Sequence, residues 1–192
     1  MVMSMELSAS GLELIKSFEG LRTYAYKVSP KDKYYTIGYG HYGADVTPFM
    51  KITEQYATTL LKQDVAKAVK HVNSYDKVYH WTQNEFDSLV SFAYNVGNIR
   101  QLTAFGTRNK TTIANKILQY TKSNGVVLTG LVHRRNKEHK LFVTPVAINY
   151  EQIAKEVIAG KWGNGSARRR ALEKAGYNYT VVQQMVNEML KK

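Results

Sequence analysis

The chain has no cysteine at all, which excludes disulfides, thiolate metal sites and a cysteine nucleophile, and requires a fold that tolerates a reducing compartment. Long apolar runs are also missing. Nothing approaches the ~18 to 20 residues of a membrane span, and the amino end, Met1 to Ser10, has neither a basic n-region nor an apolar h-region. The expectation is a protein made soluble in the cytosol, with no membrane insertion. Acidic residues are few: 15 Asp and Glu stand against 27 Lys and Arg, a net charge of +12. Such an excess predicts attraction to a polyanion, whether nucleic acid, anionic lipid or an anionic wall polymer, and charge alone does not choose among them. What the chain does have is enough apolar material for a core, 44% of 192 residues, and globular rather than disordered composition. It also has 14 tyrosines, which with Trp81 and Trp162 suit stacking on bases or on sugar faces.

The pattern is mostly helical. Ser10 and Glu13 read as a capping box, and Leu12, Ile15 and Phe18 follow on one face, which predicts a short helix over 10–19 stopped by Gly20. From Tyr24 to His41 short Tyr/Thr/Ile runs broken by Ser29-Pro30-Lys31-Asp32-Lys33 and by Gly38, Gly40 and Gly43 predict a small hairpin or meander. Helical spacing returns from Thr53 to Val72. Thr82 opens another helix with a capping box to Glu85, whose Phe86, Leu89, Val90, Phe92 and Ala93 should form the centre of the core. Further helices are expected over Thr112 to Tyr120 and Leu131 to Phe142. Pro145 breaks the pattern, and three short helices near 150–159, 166–175 and 180–190 follow as a separate segment, which puts a domain boundary near residue 146.

Several motifs can be set aside. Gly38-Tyr39-Gly40-His41-Tyr42-Gly43 matches G-x-G-x-x-G, but the run before it, Lys33 to Ile37, is half polar and Thr47-Pro48 lies where a phosphate-binding helix would run. The five histidines have no metal-ligand spacing. His133 and His139 sit among Arg134, Arg135 and Lys137, which reads as a solvated basic helix face. No Gly-x-Ser-x-Gly elbow exists to anchor a serine hydrolase. Asn109-Lys110-Thr111 fits the glycosylation pattern, but no export signal accompanies it. What remains is Glu19 at a helix end, running into a polar hairpin that contains Asp32 and Thr36. A carboxyl on a rigid helix end facing carboxylate and hydroxyl groups on a small sheet suits a glycosidase, in which one acid protonates the leaving oxygen and the opposite group orients water. A surface glutamate beside a glycine is the plain alternative.

Ser17-Phe18-Glu19-Gly20-Leu21-Arg22, Ala25-Tyr26-Lys27 and Tyr35-Thr36-Ile37-Gly38-Tyr39-Gly40-His41 resemble the phage-type (T4-like) lysozymes, the endolysins of glycoside hydrolase family 24. The likeness continues through 83–97 and 130–138, in the family's order over about residues 7 to 143. It implies a lysozyme-like domain, an inverting muramidase acting on peptidoglycan, no metal or organic cofactor, Glu19 as general acid and Thr36 as an assisting hydroxyl, with His41 in substrate binding. The family's second acid, a cysteine in some members, follows the Tyr-Lys pair directly, and that position is Val28 here. Asp32 on the same, longer loop is the first candidate to replace it and Asp45 the second; Asp32 as a mere turn residue is the other reading.

The tail resembles a CW_7 (Cpl-7-type) wall-binding repeat through Ile153 to Gly165, Arg168-Arg169-Arg170, Leu172 to Tyr179 and Val182-Gln183-x-x-Val186-Asn187. That implies a three-helix bundle that binds peptidoglycan, with Trp162, Arg168 and Tyr177 as contacts, although Trp162 could equally serve the bundle's core. The expected fold class is therefore α+β and mainly helical, with a lysozyme-like domain over 1–146 containing a small hairpin sheet, and a three-helix module over 147–192. The expected protein is a monomeric wall-lytic endolysin held in the host cytoplasm until a holin releases it, with no nucleic-acid partner. A non-catalytic wall-binding protein on the same scaffold is the rival.

Overall fold

The computed structural model describes residues 4–191. Residues 1–3, part of the amino-terminal stretch read above for a targeting signal, lie outside the described residues. The chain forms two compact units, Met1–Pro145 and Val146–Lys192.

In the first unit, α1 (Ala9–Glu19) is followed by a three-stranded antiparallel sheet of β1 (Arg22–Tyr26), β2 (Tyr35–Gly38) and β3 (His41–Gly43), in the order β1-β2-β3. The expected capping box at Ser10 does not form. Ser8 is the cap instead: its hydroxyl accepts from the Gly11 N–H at 3.1 Å and donates to Asp87 of the central helix, so the first turn is anchored two residues earlier than the sequence pattern suggests. At the other end Gly20, at φ +70°, lets the chain leave α1 and enter β1 within two residues. The G-x-G-x-x-G string is a hairpin, with Gly40 at φ +93° turning β2 into β3 and Ile37 opposite His41.

The long helix α2 (Glu54–Asn73), capped by Thr53, packs on β2 and β3 and also on the central helix α4 (Gln83–Val96). Thr82 and Glu85 close the expected capping box at the start of α4, and Lys110 ion-pairs with Glu85 at 2.7 Å. Phe86, Leu89, Val90 and Phe92 are completely buried, each stabilising the fold by roughly 1.5–3 kcal/mol. Around α4 lie α1, α2 and α6 (Thr129–Val143). The short α3 (Asp76–Tyr79) and the two-residue strands β4 (Lys122–Ser123) and β5 (Val126–Val127) had no clear signal, being too short for a pattern to repeat. The helix expected over 112–120 is α5 (Lys110–Ile117), because Asn109, rather than carrying a glycan signal, caps it by accepting from the Thr112 N–H.

One expectation is overturned on α6. Arg134 and Arg135 are not a solvated basic face: they are 5% and 0% exposed, because Glu138 on the next turn is also fully buried and pairs with both.

The second unit consists of α7 (Tyr150–Ile158), α8 (Gly165–Lys174) and α9 (Tyr179–Leu190), with α7 and α8 packed on α9. Ile153, Ala154, Val157, Leu172, Val182 and Val186 form its own core, which shares no residue with the first.

Candidate active site

Glu19 is the last residue of α1, and its Oε1 accepts from Arg134 Nη1 at 2.7 Å. Arg134 is itself held from three sides. Its Nε reaches Glu138 Oε1 at 3.1 Å, its Nη2 donates to the Ser91 carbonyl at 3.1 Å, and its guanidinium lies 4.8 Å from the centre of the Phe18 ring. Glu138 accepts from the Ser91 hydroxyl at 2.7 Å, and Ser88 donates to the Glu138 carbonyl at 2.7 Å. Arg135, stacked 4.8 Å from Phe92, pairs with the other Glu138 oxygen at 2.9 Å and donates to Asn95 at 2.8 Å. Burial pushes the Glu138 carboxyl above the usual glutamate range against the pull of Arg135, Ser91 and Arg134, and burial likewise lowers Arg135.

This cluster opens on a cleft of about 510 Å³ lined by Phe18, Glu19, Asn95, Leu131, His133 and Arg134. The Glu19 side chain is a quarter exposed there. Tyr94 is close enough to feel its charge: burial pushes the phenol up to about 12, and the negative charges of Glu19 and Asp64 add to this.

Thr36 lies on β2 opposite Tyr42 and is 5% exposed. Asp32 sits in the loop between β1 and β2, where Oδ2 accepts from the Ser29 N–H at 2.7 Å and its own N–H returns to the Ser29 carbonyl. The turn uses one carboxylate oxygen, and the other has no partner among the described residues. Lys27 holds the same loop by donating to the Asp32 carbonyl at 2.8 Å. Val28, in the family's place for the second acid, is 76% exposed.

His41 has a different setting. Nδ1 meets Asp64 at 2.9 Å and Nε2 meets Asp45 at 3.0 Å, so both ring nitrogens are taken and the residue fastens β3 to α2. Asp45, the second candidate acid, is thereby engaged with His41.

In the tail, Trp162 donates to Glu156 at 3.0 Å and meets Tyr177 edge-on at 5.6 Å, both rings lying against the bundle's core. Arg168 donates to the Gly163 carbonyl and to Asn164, which ties the loop before α8 to its first turn. Arg170 makes no such contact among the described residues.

Residues 16–138 match the phage lysozyme family, over the same stretch that carries Glu19, the sheet and the Arg134–Glu138 cluster. The chain belongs to the phage lysozyme family. Residues 151–190 match the CW_7 repeat. Among relatives, an endolysin of Bacillus phage B103 is 50% identical over 145 residues, which is 73% of this chain and 55% of that protein, so the chain spans only about half of that relative's length. Among solved structures, the muramidase domain of SpmX from Asticaccaulis excentricus is similar at a TM-score of 0.61 and 35% identity, covering 73% of this chain and 99% of that one. An endolysin from Escherichia coli O157:H7 phage FAHEc1 is similar at a TM-score of 0.60 and 34% identity, covering 76% and 98%.

The residues around Glu19 that residue-by-residue reading missed are Arg134, Glu138, Ser91, Asn95 and Tyr94. A signal existed in the helical spacing. Ser88, Ser91 and Asn95 recur at three- and four-residue steps among the buried apolar residues of α4, and Arg134, Arg135 and Glu138 recur at three- and four-residue steps on α6. Small polar residues on a core helix announce a buried partner that needs hydrogen bonds.

Proposed function

We propose that the chain is a phage or prophage endolysin of the T4-like, glycoside hydrolase family 24 type. It hydrolyses the β-1,4 bond between N-acetylmuramic acid and N-acetylglucosamine in peptidoglycan, and its tail concentrates it on the wall. The observation that carries this reading is the Glu19 carboxyl, presented by a helix end to a cleft and gripped by Arg134, within a phage lysozyme match. Glu19 gives its proton to the leaving glycosidic oxygen as positive charge develops on the ring. On the opposite face, the free oxygen of Asp32 and the Thr36 hydroxyl hold the attacking water, and inversion follows from attack opposite to departure. Arg134 keeps the Glu19 carboxyl in one orientation, which a donor on a rotatable side chain would otherwise lose. No cofactor takes part. In the tail, Arg170 and the aromatic seam of Trp162 and Tyr177 serve recognition of the muropeptide. The enzyme acts as a monomer, reaching the wall from the host cytoplasm through a holin lesion.

Mass spectrometry of the fragments released from purified peptidoglycan tests the assignment. New reducing ends on N-acetylmuramic acid are expected from the wild type, and Glu19→Gln should release ~10²-fold less or lower. Retention of more than about a tenth of wild-type release by that variant would remove Glu19 from the role. Val28 at the family's acid position favours one rival, a wall-binding protein without catalysis, and that rival requires that the wild type release nothing.

A further inference from the structure

We propose that His71 is an acid-sensitive latch: its neutral imidazole holds the segment 97–108, which joins α4 to α5, against the carboxyl end of α2, and protonation of that ring frees the segment. Such a latch works whether or not the chain cleaves glycan.

The hydrogen bond fixes the state of the ring. A backbone N–H can only donate, and the Ile99 N–H meets His71 Nε2 at 3.2 Å. Nε2 therefore carries no proton, and the hydrogen of the neutral ring lies on Nδ1. A proton added to Nε2 would set donor against donor. Ile99 is completely buried, so its N–H would be left without an acceptor, the costly way to lose a hydrogen bond.

The closed segment also opposes the proton. His71 lies in the last turn of α2, where the helix dipole by itself favours a cation. Burial nevertheless pushes its pKa below 6.5, and the positive charge of Arg100, on the segment itself, pushes the same way. The other charged residues close by are Lys67 and Lys70 on α2 and Asp76 at the start of α3. Asp76 accepts from the Trp81 N–H at 2.8 Å, and no acid pairs with His71 among the described residues. Closure thus lowers the proton affinity of His71, so proton uptake must favour opening. The closed form is fully favoured above pH 6.5 and loses ground as pH falls through that value.

The segment is built to move as one piece. The Phe105 N–H donates to the Arg100 carbonyl at 2.8 Å, the Arg108 N–H to the Thr103 carbonyl at 3.0 Å, and the Arg108 guanidinium to the carbonyls of Gln101 and Leu102. Ala104 and Phe105 stand at φ +47° and +56°, strained for residues with a side chain, and Phe105 is 74% exposed. Release relieves that strain. Outward ties are few: the Tyr79 hydroxyl donates to the Arg108 carbonyl at 2.8 Å, and Gly106 passes the ring of Tyr75, which itself meets His71 edge-on at 5.6 Å. Ile99 and Leu102 seat the segment in the core, so its opening is local.

Amide exchange followed by NMR on the full chain, with rates corrected for the intrinsic effect of pH, tests the latch. From about pH 7.5 to about pH 5, the range in which histidine changes charge, protection of the Ile99 amide should fall about tenfold relative to that of Leu89 in α4. His71→Gln, whose amide oxygen accepts without titrating, should abolish this fall, and Arg100→Ala, which removes the like charge, should reduce it. In the wild type the ring nitrogen shifts should report the Nδ1–H tautomer at the upper end and the doubly protonated ring at the lower. A fall that His71→Gln leaves undiminished overturns the latch. Equal loss of protection at Leu89 overturns it too, because the whole unit then opens. So does Ile99 protection that stays constant in the wild type, whether the ring nitrogens take up the proton or not.

Discussion

Glu138→Gln tests the centre of the structure. The amide keeps the shape of the side chain and can still accept from Ser91 and Arg134, but the only negative charge paired with Arg135 among the described residues is gone. Arg135 is fully buried and has no other acidic partner among the described residues, while Arg134 retains Glu19. Breaking a buried ion pair from one side costs about 3–5 kcal/mol, because the remaining charge is left without compensation. For a unit of this size that corresponds to a fall in melting temperature of roughly 10 °C or more. Differential scanning calorimetry on the full chain reads it directly, since the two separate cores should melt as distinguishable transitions and only the larger should move. A companion variant separates stability from chemistry. Replacing the triad by Arg134→Met, Arg135→Leu and Glu138→Leu removes the buried charge of this cluster, and such exchanges are often neutral or stabilising. It should fold well and fail to lyse walls, because Glu19 has lost Arg134. A cost below about 1 kcal/mol for Glu138→Gln, within the range of an exposed pair, would refute the claim that the cluster is a dry, mutually dependent network.

Further outcomes are expected elsewhere. Asp32→Asn should cost far more hydrolysis than Asp45→Asn, measured on purified peptidoglycan, since the free Asp32 oxygen is assigned to water and Asp45 is engaged with His41; equal small losses would leave Thr36 as the principal holder of water. Burial lowers the His41 pKa, but the hydrogen bonds to Asp45 and Asp64 outweigh it and the net direction is up from 6.5. Its stabilisation should therefore be complete below about pH 6.5 and fade as pH rises through the raised value, and urea midpoints across that window should show the slope disappear in His41→Asn. At the acid end, the hydrogen bond from His41 lowers Asp45, so that contribution is lost only as pH falls through a value below 3.8. Truncation after Pro145 should leave a folded unit that still cleaves soluble oligosaccharides but lyses cells poorly, because every core residue of that unit precedes Pro145 and the tail supplies local concentration rather than chemistry. Loss of soluble-substrate cleavage would show that the two units act as one.

The sequence showed its periodic parts well. Phe86, Leu89 and Phe92 recur on a helix long enough for the pattern to repeat, and Thr82 with Glu85 marks its start; both are found as expected. The start of α1 was misread because Ser10-x-x-Glu13 is a correct local signal outcompeted by a distant partner, Asp87, which holds Ser8. The same reason governs α6. A run of Arg134-Arg135-Asn136-Lys137-Glu138 looks solvated by composition, and only the approach of Ser88, Ser91 and Asn95 from α4 shows that half of it is interior. Of the candidate site, the place of Glu19 at the end of α1 was legible because Gly20 follows it, whereas Thr36 lies within β2 and its part was an expectation from the resemblance alone. The setting of Asp32 was not, since whether a turn consumes one carboxylate oxygen or two is a matter of angles rather than of residue order.

The loop that carries Asp32 leaves the sheet at Tyr26 and returns at Thr36, two residues that face each other across the strands. Its ends are therefore clamped whatever lies between them. Residues can be added to or taken from this loop without moving Glu19, which is set by α1 and Arg134, or Thr36, which is set by the strand pairing, and each doubling of loop length adds only about 0.6 kcal/mol of closure entropy. On the roles proposed above, the place of the Glu19 donor is thus set by the scaffold, while the place of the Asp32 acid along its loop is not. Grafting loops of other lengths between Tyr26 and Thr36 is the direct way to ask whether the proposed hydrolysis can be retuned while the scaffold stays untouched.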